Sequence, residues 1–164
     1  PMAHPVSAWL GDICEEGIRA LDIPHQRGGT YLVMEGPQFS TLAESLLYRQ
    51  WGCDVIGMTN MPEAKLAGEA EMRYATVAMV TDFDCWHPDH DSVDVAMVIE
   101  TLFSNADKAR ALVKFIAGNI NTRASAPDCG TDRVLDTALI TAPDVRDPAL
   151  VAKLDAVAGR ALKG

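Results

Sequence analysis

The feature that most constrains this chain is an alternation. Between Thr30 and Val80, short apolar runs rich in β-branched residues alternate with helical patterns, and glycine or proline marks most of the changes. Gly28-Gly29 turns the chain into Thr30-Tyr31-Leu32-Val33-Met34, which reads as a strand bounded by Gly36-Pro37. Thr41 followed three residues later by Glu44 is a capping box in front of Leu42, Ala43, Leu46, Leu47 and Trp51, and Gly52 stands where a helix C-cap belongs. A helix of about three turns is expected there. Asp54 to Met58 reads as a buried strand, Pro62 to Met72 as a helix with proline near its first turn, and Tyr74 to Val80 as a long apolar strand. Strand, helix, strand, helix, strand is the pattern of an α/β fold, with a central sheet flanked by helices.

Helical patterns flank this block. Residues 5–22 place Val6, Trp9, Leu10, Ile13, Ile18 and Leu21 at three- and four-residue steps, with Asp12, Glu15, Glu16 and Arg19 between them, and Pro24 ends the helix. Past a polar stretch from Thr81 to Ser92, Val95, Val98, Ile99, Leu102, Ala106, Ala109, Val113 and Ile116 define another, with Ser104-Asn105 as a point for a kink or a new cap. After Ile120 a Ser/Pro/Asp/Gly-rich connection leads through an apolar segment, Val134 to Ile140, to a last helix. That helix has Asp147 as N-cap, Pro148 at N1, and Leu150, Val151, Leu154, Val157 and Leu162 on one face. The expected organisation is one domain over 1–164, with 121–164 as a tail; no internal repeat or low-complexity tract interrupts it.

Composition narrows the partners. Fourteen Lys and Arg against twenty-three Asp and Glu give a net charge of −9, which disfavours nucleic acid and anionic membrane surfaces and suits a small metabolite. A hydrophobic fraction of 48% excludes a disordered chain. No basic segment followed by an apolar stretch opens the sequence, and no apolar run approaches the roughly 18 residues of a membrane span. Cys14, Cys53, Cys85 and Cys129 are widely spaced, form no CxxC pair and read as small core residues, so a reduced, cytoplasmic protein is expected.

In open α/β sheets ligands bind where strands end, because loops and helix N-termini gather there. Three segments occupy such positions: Glu35-Gly36-Pro37-Gln38-Phe39-Ser40, Gly57-Met58-Thr59-Asn60 and Thr81-Asp82-Phe83-Asp84. Each has an ordinary reading. Asp82 and Asp84 suit a helix cap and a solvated turn, Phe39 suits packing, Met58 and Thr59 suit core and turn, and Glu35 suits backbone amides at a strand end. Their conjunction points to a pocket for a flat heteroaromatic ligand bearing hydroxyls. Asp82 to Asp91 is dense in Asp, Cys and His, yet His87 and His90 match no usual zinc framework, and no metal is assigned. His4 and His25 read as surface or capping residues.

The phrases Met34-Glu35-Gly36-Pro37-Gln38-Phe39-Ser40, Ala43-Glu44-Ser45, Trp51-Gly52, Gly57-Met58-Thr59, Pro62-Glu63 and Thr81-Asp82-Phe83-Asp84-Cys85-Trp86 resemble the trimeric purine nucleoside phosphorylase family, in its methylthioadenosine-cleaving branch. The similarity runs from Pro1 to about Ile120 and is densest from Glu35 to Trp86. The resemblance implies the nucleoside phosphorylase fold without its N-terminal strands, a homotrimer, and phosphorolysis of S-methyl-5′-thioadenosine to adenine and 5-methylthioribose 1-phosphate. Inorganic phosphate is the co-substrate, with no cofactor and no metal. It also implies roles: Phe39 against the purine, Glu35 in the base region, Met58 under the ribose, Thr59 on phosphate, and Thr81, Asp82 and Asp84 around the base. Asp82 and Asp84 are the catalytic candidates, Asp82 meeting N7 and the 6-amino group. Ser40, Val95, Val98 and Ile99 match positions that shape specificity and the methylthio pocket.

Two departures stand beside this. Gly57 occupies a position where many relatives carry Asn, which removes one side-chain contact. The family's glycine-rich phosphate loop, its phosphate-binding Arg and its first strands lie before Pro1. The expectation is therefore a C-terminal piece, released by cleavage just before Pro1 and associated with an N-terminal polypeptide of the same precursor. The competing readings are a phosphorylase for adenosine or methylthioinosine, a purine-binding fragment without turnover, and, more remotely, a metal-dependent hydrolase.

Overall fold

A computed structural model describes residues 2–87, 95–122 and 130–163, without the side chains of Val95, Met97 and Thr122. Its organising element is a parallel strand–helix–strand unit. Strand β1 (Tyr31–Val33) pairs with β2 (Val55–Gly57) in the register Tyr31 to Val55, Leu32 to Ile56 and Val33 to Gly57. Parallel neighbours need a crossover, and helix α2 (Leu42–Gln50) supplies it. The capping box read from the sequence is present: Thr41 Oγ1 accepts the Glu44 N–H at 3.3 Å, and Glu44 Oε2 accepts the Thr41 N–H at 2.7 Å. Trp51 is the C-cap, and Gly52 follows at φ +76°, a left-handed position where a side chain is disfavoured.

Helix α1 (Ala8–Ala20) follows the apolar periodicity, and α3 (Asn60–Glu69) falls where a helix from Pro62 to Met72 is expected. Met61 is extended, so regular helix in α3 starts at the expected Pro62. It stops short of Met72 because Glu71 turns to φ +55° while the Met72 N–H reaches back to the Ala67 carbonyl at 2.8 Å. Helix α4 (Val95–Asn119) is continuous through Ser104-Asn105, where the sequence offered a break. Helix α5 (Pro148–Leu162) begins as read, with Asp147 Oδ1 accepting the Ala149 N–H at 2.8 Å. The apolar segment from Val134 begins in a 3₁₀ stretch, Thr131–Asp136.

One expected element is absent. Tyr74–Val80 is not a strand, and among the described residues the sheet has two strands only. Apolarity alone makes no ladder: the Tyr74 carbonyl is taken by the Ser7 N–H at 2.7 Å, and the Val80 carbonyl by Asn105 Nδ2 at 3.0 Å. The α/β arrangement holds, with a short sheet in a helix-rich chain.

The chain divides into two compact units. In the first, Asp12–Asn60 with Val77–Ala124, the core is Ile13, Cys14 and Leu112. Gly17 lets α1 approach α4: a Cβ there would lie 2.7 Å from both Leu112 and Phe115 side chains. Arg27 ties the segment after α1 back onto it, 2.8 Å from Asp12 Oδ1 and 3.7 Å from Glu15 Oε2. In the second unit, Pro1–Gly11 with Met61–Thr76 and Ser125–Gly164, Ala64, Ala67 and Leu135 are buried. There Arg160 of α5 reaches Glu71 (Nε to Oε2 2.7 Å) and Asp136 (2.6 Å), and Glu71 also accepts the Leu135 N–H at 3.1 Å. No helix among the described residues is long and apolar enough to cross a membrane. Cys129 and His90 lie outside the described residues.

Candidate active site

The three loops singled out from the sequence belong to one unit, and contacts join them. Gly36, at φ +73°, brings the first loop against the second: a Cβ on it would sit 2.6 Å from Met58 Sδ, so the thioether packs where only glycine fits. The Met34 N–H extends the ladder to the Gly57 carbonyl at 2.9 Å, fixing both loops at their departure from the sheet. Ser40 Oγ donates to Met34 Sδ at 3.7 Å. The third loop reaches the first through Cys85, whose thiol donates to the Ser40 carbonyl at 3.5 Å. Burial raises the Cys85 pKa, with the Asp84 carboxylate adding to the rise, so the thiol stays protonated as that donor.

Within the third loop Asp82 is held at both oxygens. Its Oδ2 accepts Thr81 Oγ1–H at 2.7 Å and its Oδ1 accepts the Asp84 N–H at 2.8 Å. Asp84 sits at φ +60°, a left-handed conformation that Asp tolerates better than most residues. It opens the 3₁₀ turn Asp84–Trp86. A carboxylate oxygen has two lone pairs, so each oxygen of Asp82 retains acceptor capacity beyond its internal bond. Asp82 is exposed and Thr81 half-buried.

Phe39 presents its ring with 66% exposure, outside the core of this unit. Thr59 is exposed at the end of β2, in front of α3. Val98 and Ile99 lie in the first turns of α4, half-buried and exposed; the side chain of Val95 is outside the described residues. Phe39, Thr59, Val98 and Ile99 stand outside the contacts that join the loops. Among the described residues no group of three His, Cys, Asp or Glu is arranged to hold a metal ion.

Three further residues shape this region. Tyr31 lays its hydroxyl against the α-carbon of Gly57: a Cβ there would collide with it and lie 2.8 Å from Cζ. Asn105, on the surface of α4, pins the Val80 carbonyl just before Thr81. Arg49, in the last turn of α2, stacks its guanidinium 3.5 Å from the centre of the Trp86 ring. In the sequence Gly57 marked only a missing side-chain contact and Asn105 a point for a kink or a new cap, while Arg49 looks like ordinary helix surface.

A strand–helix–strand unit whose strand-end loops gather acceptors, an aromatic ring and a thioether stands where open α/β folds hold small ligands. The chain belongs to the phosphorylase superfamily, whose family model matches residues 1–117. It is 67% identical to an S-methyl-5′-thioadenosine phosphorylase of Rhodospirillum rubrum, over 98% of this chain and 55% of that protein. One from Cereibacter sphaeroides is 61% identical over 99% of this chain and 56% of that protein. The crystal structure of a methylthioadenosine phosphorylase from an antarctic soil metagenomic library superposes with a TM-score of 0.84 at 41% identity, covering 96% of this chain and 55% of that one. A double-mutant adenosine/methylthioadenosine phosphorylase from Schistosoma mansoni, in complex with adenine, gives 0.72 at 28% identity, covering 82% and 53%. The chain thus spans about half the length of the relatives it matches.

Proposed function

We propose that this chain carries the purine and ribose side of a site for phosphorolysis of S-methyl-5′-thioadenosine, and that it works with an N-terminal polypeptide of the same precursor. The observation that carries the proposal is the joining of the Phe39, Met58 and Asp82 loops by Gly36–Met58 and Ser40–Cys85. The names of its relatives support the substrate. In this reading residues 1–164 are one piece of a larger domain, with 121–164 as its tail, and the assembly is a cytoplasmic trimer.

The reaction breaks the C1′–N9 bond, whose electron pair leaves with the purine, and forms a bond between C1′ and a phosphate oxygen. Asp82 accepts from the 6-amino group and shares a proton with N7, spreading the charge that develops on the leaving base. Asp84 lies beside it as the second acidic group around the base, with Thr81. Phe39 covers the purine face, Ser40 tunes the base pocket, and Met58 lies under the ribose. Thr59 donates to phosphate, the co-substrate, and the remaining phosphate-holding groups come from the N-terminal polypeptide. Val95, Val98 and Ile99 receive the 5′-methylthio group. The chemistry needs no cofactor and no metal. Adenosine is the alternative substrate, which the name of the Schistosoma mansoni relative favours.

The test is a nucleoside panel, with and without phosphate, on the complete protein, with intact mass recording each polypeptide present. Phosphate-dependent adenine release from methylthioadenosine is expected. Release without phosphate, or purine binding with no release, overturns the proposal.

A further inference from the structure

We infer that Arg49 is a positioning residue for this site: through Trp86 it holds the Asp82–Asp84 loop at a fixed distance from Phe39 and Ser40. The inference rests on the function proposed above for its consequence in turnover, though the clamp itself is a property of the fold. Arg49 belongs to the last turn of α2, where a cation needs no explanation beyond the helix dipole. Here its guanidinium carbon lies 3.5 Å from the Trp86 ring centre, a stacked contact that the planar, weakly hydrated guanidinium makes well. Trp86 closes the 3₁₀ turn that Asp84 opens, and it meets Phe83 edge-on at 6.1 Å and His87 at 5.3 Å.

The same turn is attached at the opposite end of α2. Cys85 donates to the Ser40 carbonyl and its thiol also meets Ser45, a polar side chain only 2% exposed. The turn therefore bridges α2 from its lead-in to its last turn, and α2 is continuous through its Thr41 cap with Phe39 and Ser40. A base that is covered by Phe39 and gripped by Asp82 senses the distance between the two. Misplacement of about 1 Å at a reacting centre costs up to about 100-fold.

The experiment compares Arg49→Met, which keeps length and removes charge, with Arg49→Lys, which keeps a cation, in the complete protein. Arg49→Met is expected to lower kcat for methylthioadenosine about tenfold while KM for phosphate stays within about twofold. Arg49→Lys should recover part of the loss, because an ammonium still favours an indole face but lacks the planar stack of the guanidinium. Amide hydrogen exchange of residues 83–86 should speed up about tenfold in Arg49→Met, with exchange in α1 unchanged. Unchanged kcat, equal kcat in the Met and Lys variants, or unchanged exchange at 83–86 each overturns the inference. If the wild-type protein releases no adenine, the proposed function fails and exchange alone decides the clamp: faster exchange in Arg49→Met sustains it and unchanged exchange ends it.

Discussion

Replacing Asp82 by Asn isolates the charge of the base-gripping group without disturbing its loop. In the structure Asp82 Oδ1 accepts the Asp84 N–H at 2.8 Å and Oδ2 accepts the Thr81 hydroxyl at 2.7 Å. An Asn carbonyl keeps the first bond. Its amide NH₂ keeps the second in reverse, because the Thr81 hydroxyl rotates to accept. The loop therefore survives, and the change falls on the ligand. Toward a 6-amino purine the carboxylate accepts, and hydrogen bonds to charged groups contribute about 1.5–3 kcal/mol. In the variant a donor faces a donor, and leaving one unpaired adds to the loss, for a total of about 2–4 kcal/mol. That is a fall of about 30- to 1,000-fold in kcat/KM for methylthioadenosine. A 6-oxo purine presents an acceptor to the new NH₂, so methylthioinosine turnover should hold or rise. Spectrophotometric release of adenine and of hypoxanthine, measured side by side on both proteins, gives the ratio. An unchanged ratio refutes the role given to Asp82; a ratio that moves only because both activities collapse refutes the claim that the loop survives.

Thr41→Ala removes the N-cap of α2, which should cost about 1 kcal/mol and lower Tm by about 2–4 °C in thermal unfolding. Gly57→Ala drives a methyl group into Tyr31, and overpacking of this kind costs about 1–3 kcal/mol. The penalty should vanish when the same change is made in a Tyr31→Ala background, as a double-mutant cycle will show. Glu71 is held below its ordinary value of 4.5, chiefly by hydrogen bonds from Arg160. A carboxyl depressed on folding contributes stability that is present above the unfolded value and lost as pH falls through the folded one. Arg160→Met should therefore destabilise the α5 attachment at neutral pH, with the difference from wild type shrinking below about pH 4, read by thermal unfolding across that range.

Local chemistry made much of the fold legible. A hydroxyl and a carboxylate three residues apart announced α2, Asp147-Pro148 announced α5, and β-branched runs bounded by glycine announced β1 and β2. The helix signals work because each cap is satisfied by its own neighbours, and the two strands because a short crossover brings them together. Tyr74–Val80 misled for the complementary reason: a strand is a relation between two segments, and apolar content does not say that a partner lies alongside. The loops of the candidate site were recognisable one at a time, whereas what joins them was not. Ser40 and Cys85 meet across 45 positions of sequence, nothing in the spacing of Arg49 sets it apart from solvated helix residues, and Asn105 drew notice as a helix break rather than as the donor to Val80 that it is.

The packing of Tyr31 on Gly57 makes these two positions one steric unit. A side chain at position 57 sits beside Met58 without that cost only where the phenol opposite is smaller or turned aside. Either residue on its own is a poor guide to what the pair tolerates.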